Sequence, residues 1–471
     1  TMQAYVPVDD LMNHTLVAGA TGSGKTIAAQ ILVEESIAKN RSVIVFDPTA
    51  QWTGFIKPCK NRGMLRNYPR FRMRRTQSTA FNGNIHIVEN PHKRIEMRRY
   101  MKPGEITVFC LHKLTSTQID LFIENTVKNI FMENLEESTQ VKTIIVYDEV
   151  HRLLPKFGGS GRGFIHLERA AREYRKWGLG LVLISQVLSD FVGEIKANIG
   201  TEIQMRTRYE KDLNRIKLKY DQDTMRSIVK ESVGTGMLQN AGYNQGRPYF
   251  ISFRPVLHDH HRLPDAELEK YDKYSNRIDE LYDNLQKYKM VGCDIFDLEL
   301  ELNLASENLK RGLFDVVDLY MKSLEPKVKQ YYSGLTAKQK QEYNELIAKD
   351  DKFAERSKIT EDKIEKEIEN LALLKKEDKA EAYWKSKLDE ERSKVEDELA
   401  KQREEMALVM ERLEKIRRVV RDKEEVKARL ESIRGQVEGG SEAAGESAGD
   451  GGGDGAGDGV DGQGGGRDGK V

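Results

Sequence analysis

The sequence predicts an α/β fold: a domain built on a mostly parallel, doubly wound sheet, followed by a helical extension and a C-terminal coiled coil. Short apolar runs alternate with helical patterns from residue 14 to about residue 255, which is typical of parallel strands connected by helices. The strand-like runs stop at Pro264, and a heptad pattern begins near residue 355. These changes divide the chain into residues 1–264, 265–354, 355–436 and 437–471.

Six strand-like runs define the predicted sheet. They are nearly continuous and rich in β-branched residues, as strands buried on both faces of a parallel sheet are. Two later runs, TEIQMRTR and PYFISFRP, are expected to complete the sheet, and segments such as KTIAAQILVEESIAK have the spacing of helices that cover it. The six runs are HTLVA, RSVIVFD, GNIHIVE, EITVFCL, KTIIVYD and GLVLISQ.

The rest of the chain lacks strand signals. Residues 265 to about 350 are charged with helical spacing, and the heptad repeat that follows favours a coiled coil. The alternative is a single long helix that lies on the surface of the domain. Residues 437–471 are rich in Gly, Asp, Glu, Ala and Ser, which predicts a disordered acidic tail. The heptad seam carries Leu388, Val395, Val409 and Ile416 at one position and Leu399, Met406, Leu413 and Val420 at the other, with interruptions at Arg392 and Gln402.

The composition indicates a soluble, cytoplasmic protein with more than one structural unit. The chain has 471 residues, of which 32% are charged and 38% hydrophobic, and its formal net charge is zero. Cys59, Cys110 and Cys293 have neither metal-ligand spacing nor a disulfide framework, as expected in a reducing compartment. The N-terminus does not resemble a signal peptide, and no apolar stretch approaches the roughly 20 residues of a membrane span.

A cationic segment surrounds the third strand-like run. Between Lys57 and Lys102 there are 13 lysine or arginine residues and only two acids. Clustered cations release counterions from nucleic acid, so the segment is a candidate DNA contact in which Tyr68 and Phe71 could stack on bases. The alternative is a solvated loop whose acidic partners lie elsewhere in the fold. The candidate DNA-binding residues are Arg66, Arg70, Arg72, Arg74 and Arg75.

The first strand-like run leads into VAGATGSGKT, which fits the phosphate-binding pattern G-x-x-x-x-G-K-[ST]. The glycines let backbone N–H groups surround phosphates without a clash, and the helix that follows adds its positive dipole end. The lysine can reach the β- and γ-phosphates, and Thr26 can bind Mg²⁺. The sequence therefore predicts an ATP site with Mg²⁺. Its residues are Gly19, Ala20, Thr21, Gly22, Ser23, Gly24, Lys25 and Thr26.

A second acidic motif, TIIVYDEVH, completes the chemistry of a hydrolase. Asp148 ends an apolar strand, where a carboxylate can hold a water of Mg²⁺. Glu149 follows it and can polarise an attacking water. Asp47 also ends a strand and competes for the metal-side role, but it lacks an adjacent glutamate. The chain has no N-K-x-D motif, which argues against a GTPase, and Glu149 together with the long helical extension disfavours a small-molecule kinase.

Three further polar residues are candidates for the catalytic machinery. Gln186 ends the sixth strand-like run, where its amide could contact the γ-phosphate or the attacking water, and the alternative is an ordinary strand-end amide. Arg172 and Arg175 share one helix face just before that strand. Either arginine could serve as a finger that reaches the ATP of a neighbouring subunit, and the alternative for each is a surface salt bridge.

These motifs resemble, in their order, those of the HerA/FtsK superfamily of P-loop ATPases, most closely its HerA-like branch, which includes conjugation and secretion ATPases. The resemblance covers roughly residues 10–255 and rests on LVAGATGSGKT, VIVFDPTAQW, GEITVFCLHKL, IIVYDEVHRLLP and REYRKWGLGLVLISQVLSD. It implies a RecA-like P-loop NTPase core that forms a hexameric ring and hydrolyses ATP. Such a ring pulls a polymer, usually double-stranded DNA, through its pore.

The resemblance also implies residue roles. Lys25 and Thr26 match the Walker A positions, and Asp148 and Glu149 match Walker B. Gln186 matches the glutamine at the end of a strand in the family. Arg175 is the first choice for the arginine that acts in trans, and Arg172 is the second. The stretch DPTAQW departs from the family because it lacks the acidic or glycine residues that are common there.

Three functions remain to be separated. The first is an ATP-driven translocase of double-stranded DNA. The second is the motor of a viral or plasmid packaging, conjugation or secretion complex, with a protein partner bound through the coiled coil at residues 355–436. The third is a scaffold that binds ATP without turnover, which the complete set of Lys25, Asp148 and Glu149 disfavours.

Overall fold

The computed structural model of the protein describes residues 4–348, except 94, 134, 155–160, 187–193 and 241, together with residues 386–397 and 400–401. One sheet organises this part of the chain. Its strands are β1 (Thr15–Ala18), β2 (Ser42–Asp47), β3 (Gly83–Ile87), β4 (Ile106–Cys110), β5 (Ser138–Tyr147), β6 (Trp177–Ser185), β7 (Thr201–Met205), β8 (Thr235–Asn240) and β9 (Tyr249–Ser252).

The strand order confirms the predicted fold class. The nine strands follow the order β3-β4-β2-β5-β6-β1-β7-β8-β9. The first seven strands in this order run parallel, and β8 and β9 are added antiparallel at one edge. The fold is that of a RecA-like P-loop NTPase, in which β6 separates β1 from β5.

Helices cover both faces of the sheet, as the doubly wound prediction requires. Adjacent residues of a strand point to opposite faces. Val17 accordingly belongs to a core shared with α1 and α8–α10, whereas Leu16 belongs to a second core with α3 and α4. The labelled helices are α1 (Lys25–Ala38), α2 (Arg62–Asn67), α3 (Ser116–Met132), α4 (Arg162–Glu173), α5 (Glu194–Ala197), α6 (Glu210–Lys219), α7 (Gln222–Lys230), α8 (Asp265–Met290), α9 (Phe296–Lys310) and α10 (Phe314–Gly334).

One strand, β8, has no counterpart in the sequence prediction. Its sequence, TGMLQN, contains a single β-branched residue, so it gives little strand signal on its own. The backbone hydrogen bonds come from antiparallel pairing with β7 on one side and β9 on the other. Long-range pairing therefore defines this strand more than its local sequence does.

Helix α8 packs on β3 and joins the helical extension to the sheet. Buried Asp279 of α8 accepts a hydrogen bond from the Tyr100 hydroxyl (3.1 Å) and pairs with Arg99 (2.9 Å), Lys93 (3.1 Å) and His86 (3.3 Å). Burial alone would raise the pKa of Asp279, but the neighbouring cationic groups outweigh burial and hold that pKa well below its usual range. The extension thus shares an apolar core and a charged cluster with the part of the chain that forms the sheet.

Residues 386–397 form a helix, which we call the C-terminal helix. Up to Val395, this helix lies beside α4: Arg392 pairs with the buried carboxylate of Glu168, and Val395 itself is buried. The two seam positions Leu388 and Val395 fall in this helix. The other seam positions and the acidic tail lie outside the described residues, so the coiled coil stays a prediction.

Two further sequence observations have structural counterparts. None of the helices in the described part of the chain is both long enough and apolar enough to cross a bilayer. Cys59, Cys110 and Cys293 are free thiols, the first two of them buried. Burial raises the pKa of the Cys110 thiol well above its usual value, so this cysteine behaves as a core residue.

Candidate functional site

The predicted phosphate-binding loop connects β1 to the start of α1. Strand β1 ends at Ala18, and α1 begins at Lys25. Gly22 and Gly24 have φ angles of 73° and 97°, in the left-handed region that favours glycine. The hydroxyl of Ser23 is fully buried and has no hydrogen-bond partner among the described residues. A buried hydroxyl of this kind fits a loop that receives phosphate oxygens.

Backbone hydrogen bonds hold the loop against three strands. The N–H of Gly19 donates to the Ser185 carbonyl at the end of β6 (3.3 Å), and the N–H of Ala20 donates to the Arg206 carbonyl just after β7 (2.9 Å). The N–H of Gly234, just before β8, donates to the Ser23 carbonyl (3.3 Å). The loop is therefore fixed to the ends of neighbouring strands before any nucleotide binds.

Asp148 and Glu149 follow β5 at the same edge of the sheet. Asp148 is almost fully buried, and its Oδ1 accepts a hydrogen bond from the Glu149 N–H (2.8 Å). Glu149 has φ 48° and ψ 42°, a left-handed conformation that is uncommon for a residue with a Cβ. Such strain is found at functional sites, where the surrounding structure enforces it.

The Glu149 carboxylate contacts three predicted or neighbouring site residues. Its Oε1 lies 3.3 Å from the Lys25 Nζ, and its Oε2 accepts a hydrogen bond from the Gln186 amide (3.3 Å). The Nδ1 of His151 lies 3.2 Å from the same Oε2. The structure thus brings together Lys25, Glu149 and Gln186, which the sequence placed on three separate elements. His151 was missed, although it stands two residues after Glu149.

Asp47 was the other candidate for the carboxylate on the Mg²⁺ side of the site. Both of its carboxylate oxygens accept hydrogen bonds from the turn that follows β2. Its Oδ1 accepts hydrogen bonds from the N–H and hydroxyl of Thr49 (both 2.7 Å), and its Oδ2 accepts one from the Trp52 N–H (2.8 Å). The indole N–H of Trp52 donates to Oδ2 of Asp148 (2.9 Å). Sequence reasoning missed Trp52, although it ends the DPTAQW stretch that departs from the family.

The donors at this edge fit a magnesium ion. Thr26 and Asp148 offer a hydroxyl and a carboxylate, the hard oxygen ligands that Mg²⁺ prefers. Burial raises the pKa of Asp148, and the nearby Asp47 carboxylate raises it further. A divalent cation beside Asp148 would offset both effects by favouring its charged form.

The part of the chain that carries this site matches a known domain family. Residues 1–233 match the family model described as "Helicase HerA, central domain". Residues 1–233 therefore form a domain of the HerA type, which is a type of P-loop ATPase domain. The loop with Lys25 matches the pattern of a Walker A motif, and Asp148 with Glu149 matches that of a Walker B motif.

The chain also aligns with solved structures at low sequence identity. The genome packaging NTPase B204 from Sulfolobus turreted icosahedral virus 2 aligns at 13% identity and a TM-score of 0.33, covering 53% of this chain and 98% of that chain. VirB4 of Thermoanaerobacter pseudethanolicus aligns at 13% identity and a TM-score of 0.34, covering 52% and 89%. The pCW3 conjugation coupling protein TcpA aligns at 16% identity and a TM-score of 0.31, covering 54% and 64%. No curated protein matches the sequence.

The two candidate arginine fingers lie at the opposite edge of the HerA domain from its own ATP site. Arg172 lies in the last turn of α4, and Arg175 lies in the short turn before β6; both side chains are exposed. The last residue of β6 pairs with Ala18 beside the Walker A loop, so its first residue is roughly 26 Å away. Within one chain the structure does not bring either arginine to Lys25.

The five candidate DNA-binding arginines lie on one excursion of the HerA domain between β2 and β3. We call residues 60–77 the basic loop. All five arginine side chains are exposed, and none makes an ion pair with a described residue. They are Arg66, Arg70, Arg72, Arg74 and Arg75. This arrangement differs from the solvated-loop alternative, in which acidic residues of the fold would pair with them.

The proposed stacking role of Tyr68 was wrong. Tyr68 is fully buried, and its hydroxyl donates a hydrogen bond to the Val256 carbonyl (2.7 Å). The aromatic ring therefore anchors the base of the basic loop and cannot stack on a nucleic acid base. Phe71 is half-buried and remains at the surface of the loop.

Proposed function

We propose that this chain is a subunit of a ring-shaped motor that uses ATP hydrolysis to translocate double-stranded DNA. One observation carries the hydrolytic part: the Glu149 carboxylate is in contact with both Lys25 and Gln186 at the end of the Walker A strand. A carboxylate, a phosphate-binding cation and a polar amide that converge at one point suit an attack by water on a terminal phosphate.

Each residue has a defined part in hydrolysis. Glu149 accepts a proton from the attacking water, while Gln186 holds that water by a hydrogen bond from its amide. Lys25 leaves its ion pair with Glu149 and binds the β- and γ-phosphates of ATP. Thr26 and Asp148 would hold Mg²⁺, which supplies positive charge to the transferred phosphoryl group.

The basic loop supports DNA as the cargo. Its exposed arginines have no acidic partners among the described residues, so they are available to phosphates. Each arginine that neutralises a phosphate releases a counterion, which makes binding steeply dependent on salt.

The location of the candidate fingers supports ring assembly as part of this proposal. A P-loop ATPase gains rate from an arginine that neutralises charge in the transition state. Arg172 and Arg175 are too far from the Walker A loop of their own chain to do this. A neighbouring subunit that presents this edge to the ATP site would supply the arginine, and a closed hexamer would repeat the interface.

The test is an ATPase assay with and without double-stranded DNA across a salt series. We expect DNA to stimulate turnover and its binding to weaken steeply with salt. Substituting Arg70 by Ala should lower the slope of log affinity against log salt by about one. Lys338→Ala, at an exposed lysine outside the basic loop, is the matched control and should leave the slope unchanged.

A turnover that ignores DNA and salt would contradict DNA as the cargo. In that case the second candidate, a motor of a packaging, conjugation or secretion complex that acts on a protein partner, becomes the better proposal. Copurification of a partner that depends on residues 355–436 would then support it.

A further inference from the structure

Trp52 links the two carboxylates that end β2 and β5. These strands are parallel neighbours in which Phe46 pairs with Tyr147, so Asp47 and Asp148 follow side by side. The backbone N–H of Trp52 donates to Asp47 (2.8 Å), and its indole N–H donates to Asp148 (2.9 Å). One residue therefore supplies a donor to each of two adjacent buried acids.

The chain builds this bridge with a tight turn. Thr49 donates twice to Asp47, and Ala50 adopts a left-handed conformation with φ 59°. The chain changes direction at Ala50, and the 3-10 turn Gln51–Ile56 begins directly after it. Trp52 is the second residue of that turn and is fully buried.

Packing fixes the orientation of the indole. The ring of Phe55 stacks on Trp52 with centroids 5.6 Å apart and an interplanar angle of 8°, and His258 stacks on the other side of Phe55 at 3.6 Å. Gly54 closes the turn against a neighbouring segment, because a Cβ there would lie 1.9 Å from the Asp259 carbonyl oxygen. The indole has little room to turn away from Asp148.

We propose that Trp52 is a positioning residue for the magnesium-side carboxylate: its indole N–H fixes Oδ2 of Asp148 so that the carboxylate meets the hydration shell of Mg²⁺ in one orientation. The proposal rests on the role of Asp148 in the proposed function. With Oδ1 held by the Glu149 N–H (2.8 Å), both oxygens of Asp148 are oriented from the protein side.

An indole suits this role because it is a neutral group that only donates. A lysine or arginine in its place would neutralise Asp148 and compete with the cation. A hydroxyl or amide could rotate and offer an acceptor, which would repel the carboxylate. Ligand orientation by such outer hydrogen bonds changes metal affinity strongly.

The test compares Trp52→Phe with Phe55→Leu in the full chain. Trp52→Phe keeps an aromatic ring and removes the donor, whereas Phe55→Leu disturbs the same stack and keeps the donor. Binding of ATPγS is measured by titration calorimetry in EDTA and at a series of Mg²⁺ concentrations. This readout does not require turnover.

In Trp52→Phe we expect a rise of about tenfold in the Mg²⁺ concentration that gives half of the full increase in ATPγS affinity, because a hydrogen bond to a charged group is lost. ATPγS affinity in EDTA should stay within about twofold of the unmodified chain, as should the Mg²⁺ dependence of Phe55→Leu. Equal Mg²⁺ dependence in Trp52→Phe and the unmodified chain would overturn the proposal. An equal change of the Mg²⁺ dependence in Trp52→Phe and Phe55→Leu would also overturn it, because the disturbed packing of the stack would then explain both results.

A second measurement serves if Trp52→Phe does not fold. The indole N–H resonance of Trp52 can be followed by NMR in ¹⁵N-tryptophan-labelled protein and assigned with Trp177→Phe and Trp384→Phe. We expect it to shift when Mg²⁺ is added to the ATPγS complex, and an unmoved resonance would overturn the proposal. If the unmodified chain binds ATPγS without any dependence on Mg²⁺, the proposed role of Asp148 fails as well, which separates the two failures.

Discussion

Glu149 combines a strained backbone with a carboxylate that several groups share. A left-handed conformation costs a residue with a Cβ on the order of 1 kcal/mol or more. The contacts with Lys25 and Gln186, and the N–H bond to Asp148, offset that cost. The conformation turns the side chain of Glu149 back toward the Walker A strand. In the proposed mechanism, the attacking water lies at this position.

Replacing this carboxylate by its amide tests the assignment of the base. We expect Glu149→Gln to lower single-turnover hydrolysis at least about 100-fold, because the amide cannot accept a proton from water. ATPγS affinity should be retained, since Lys25 no longer has an acidic partner there. Rapid-quench hydrolysis and calorimetry measure the two effects. Glu267→Gln, at a carboxylate that pairs with Lys57 and contacts none of these site residues, is the control. An unchanged rate in Glu149→Gln would remove Glu149 from the mechanism.

His14 makes the fold sensitive to mild acid. The buried ring accepts a hydrogen bond from the Leu181 N–H at Nδ1 (3.0 Å) and contacts the Ala171 carbonyl through Nε2 (2.9 Å). Nδ1 is therefore the acceptor and Nε2 the donor, which is the neutral ring. The pKa of His14 is lowered from 6.5 to about 4: burial lowers it most, the bond to the Ala171 carbonyl opposes this, and the charge of Arg175 adds to the lowering.

The sign of the effect follows from proton binding. Between pH 6.5 and 4 the unfolded chain binds a proton at this histidine and the folded chain does not, so the folded state loses stability as pH falls through this window. The loss from His14 approaches about 3 kcal/mol near pH 4. Urea unfolding at pH 7.5 and pH 5 should show a smaller decrease for His14→Gln than for the unmodified chain. Equal decreases would exclude His14 as a source of the acid sensitivity.

At the level of elements, one segment connects the ATP-binding helix to the basic loop. Glu34 of α1 accepts hydrogen bonds from the N–H groups of Leu257 (2.6 Å) and His258 (3.1 Å). The carbonyl of the preceding residue, Val256, accepts a hydrogen bond from the Tyr68 hydroxyl at the base of the basic loop. Because α1 begins at the Walker A lysine, a shift of this helix would be passed to the base of the loop through hydrogen bonds.

The C-terminal helix gives a prediction at the same scale. Arg392→Glu would place a carboxylate beside buried Glu168, so the helix should leave α4. We expect amide exchange in residues 386–395 to rise about tenfold, measured by hydrogen exchange and mass spectrometry. Lys394→Glu is the matched charge reversal, because Lys394 pairs only with Glu390 and Glu391 of its own helix among the described residues. Similar exchange in both variants would contradict a specific bond to α4.

The sequence predicted the elements whose signals lie within short stretches of the chain. The parallel strands, the glycine loop and the Asp148–Glu149 pair follow from short runs of sequence, because burial on both faces and phosphate binding leave direct traces there. The Trp52–Asp148 bond joins residues 96 positions apart and depends on the turn between them. The burial of Tyr68 likewise depends on a segment distant in sequence, so no local pattern could show either contact.

For the whole molecule, the distribution of site residues matters most. One edge of the sheet carries Lys25, Asp148, Glu149 and Gln186, and the other carries the exposed Arg175. Within a single chain, the two candidate fingers Arg172 and Arg175 therefore lie far from the ATP site. The guanidinium of Arg175 donates a long hydrogen bond (3.4 Å) to the Asn13 side chain, and the Arg175 side chain remains exposed.

Mixing two inactive variants tests whether Arg175 acts on a neighbour. Arg175→Ala keeps a complete Walker A loop, and Lys25→Ala keeps the arginine; each alone should have little turnover if the arginine acts in trans. In a random mixture of equal amounts, about one quarter of the interfaces pair an intact loop with an intact arginine. We expect activity to return at those interfaces, measured as ATPase rate against mixing ratio, with a maximum near equal amounts.

A parallel mixture with Arg172→Ala shows which arginine is the finger. If neither mixture exceeds its separate components, although both variants assemble with the same mass as the unmodified protein, the arginines do not act across the interface.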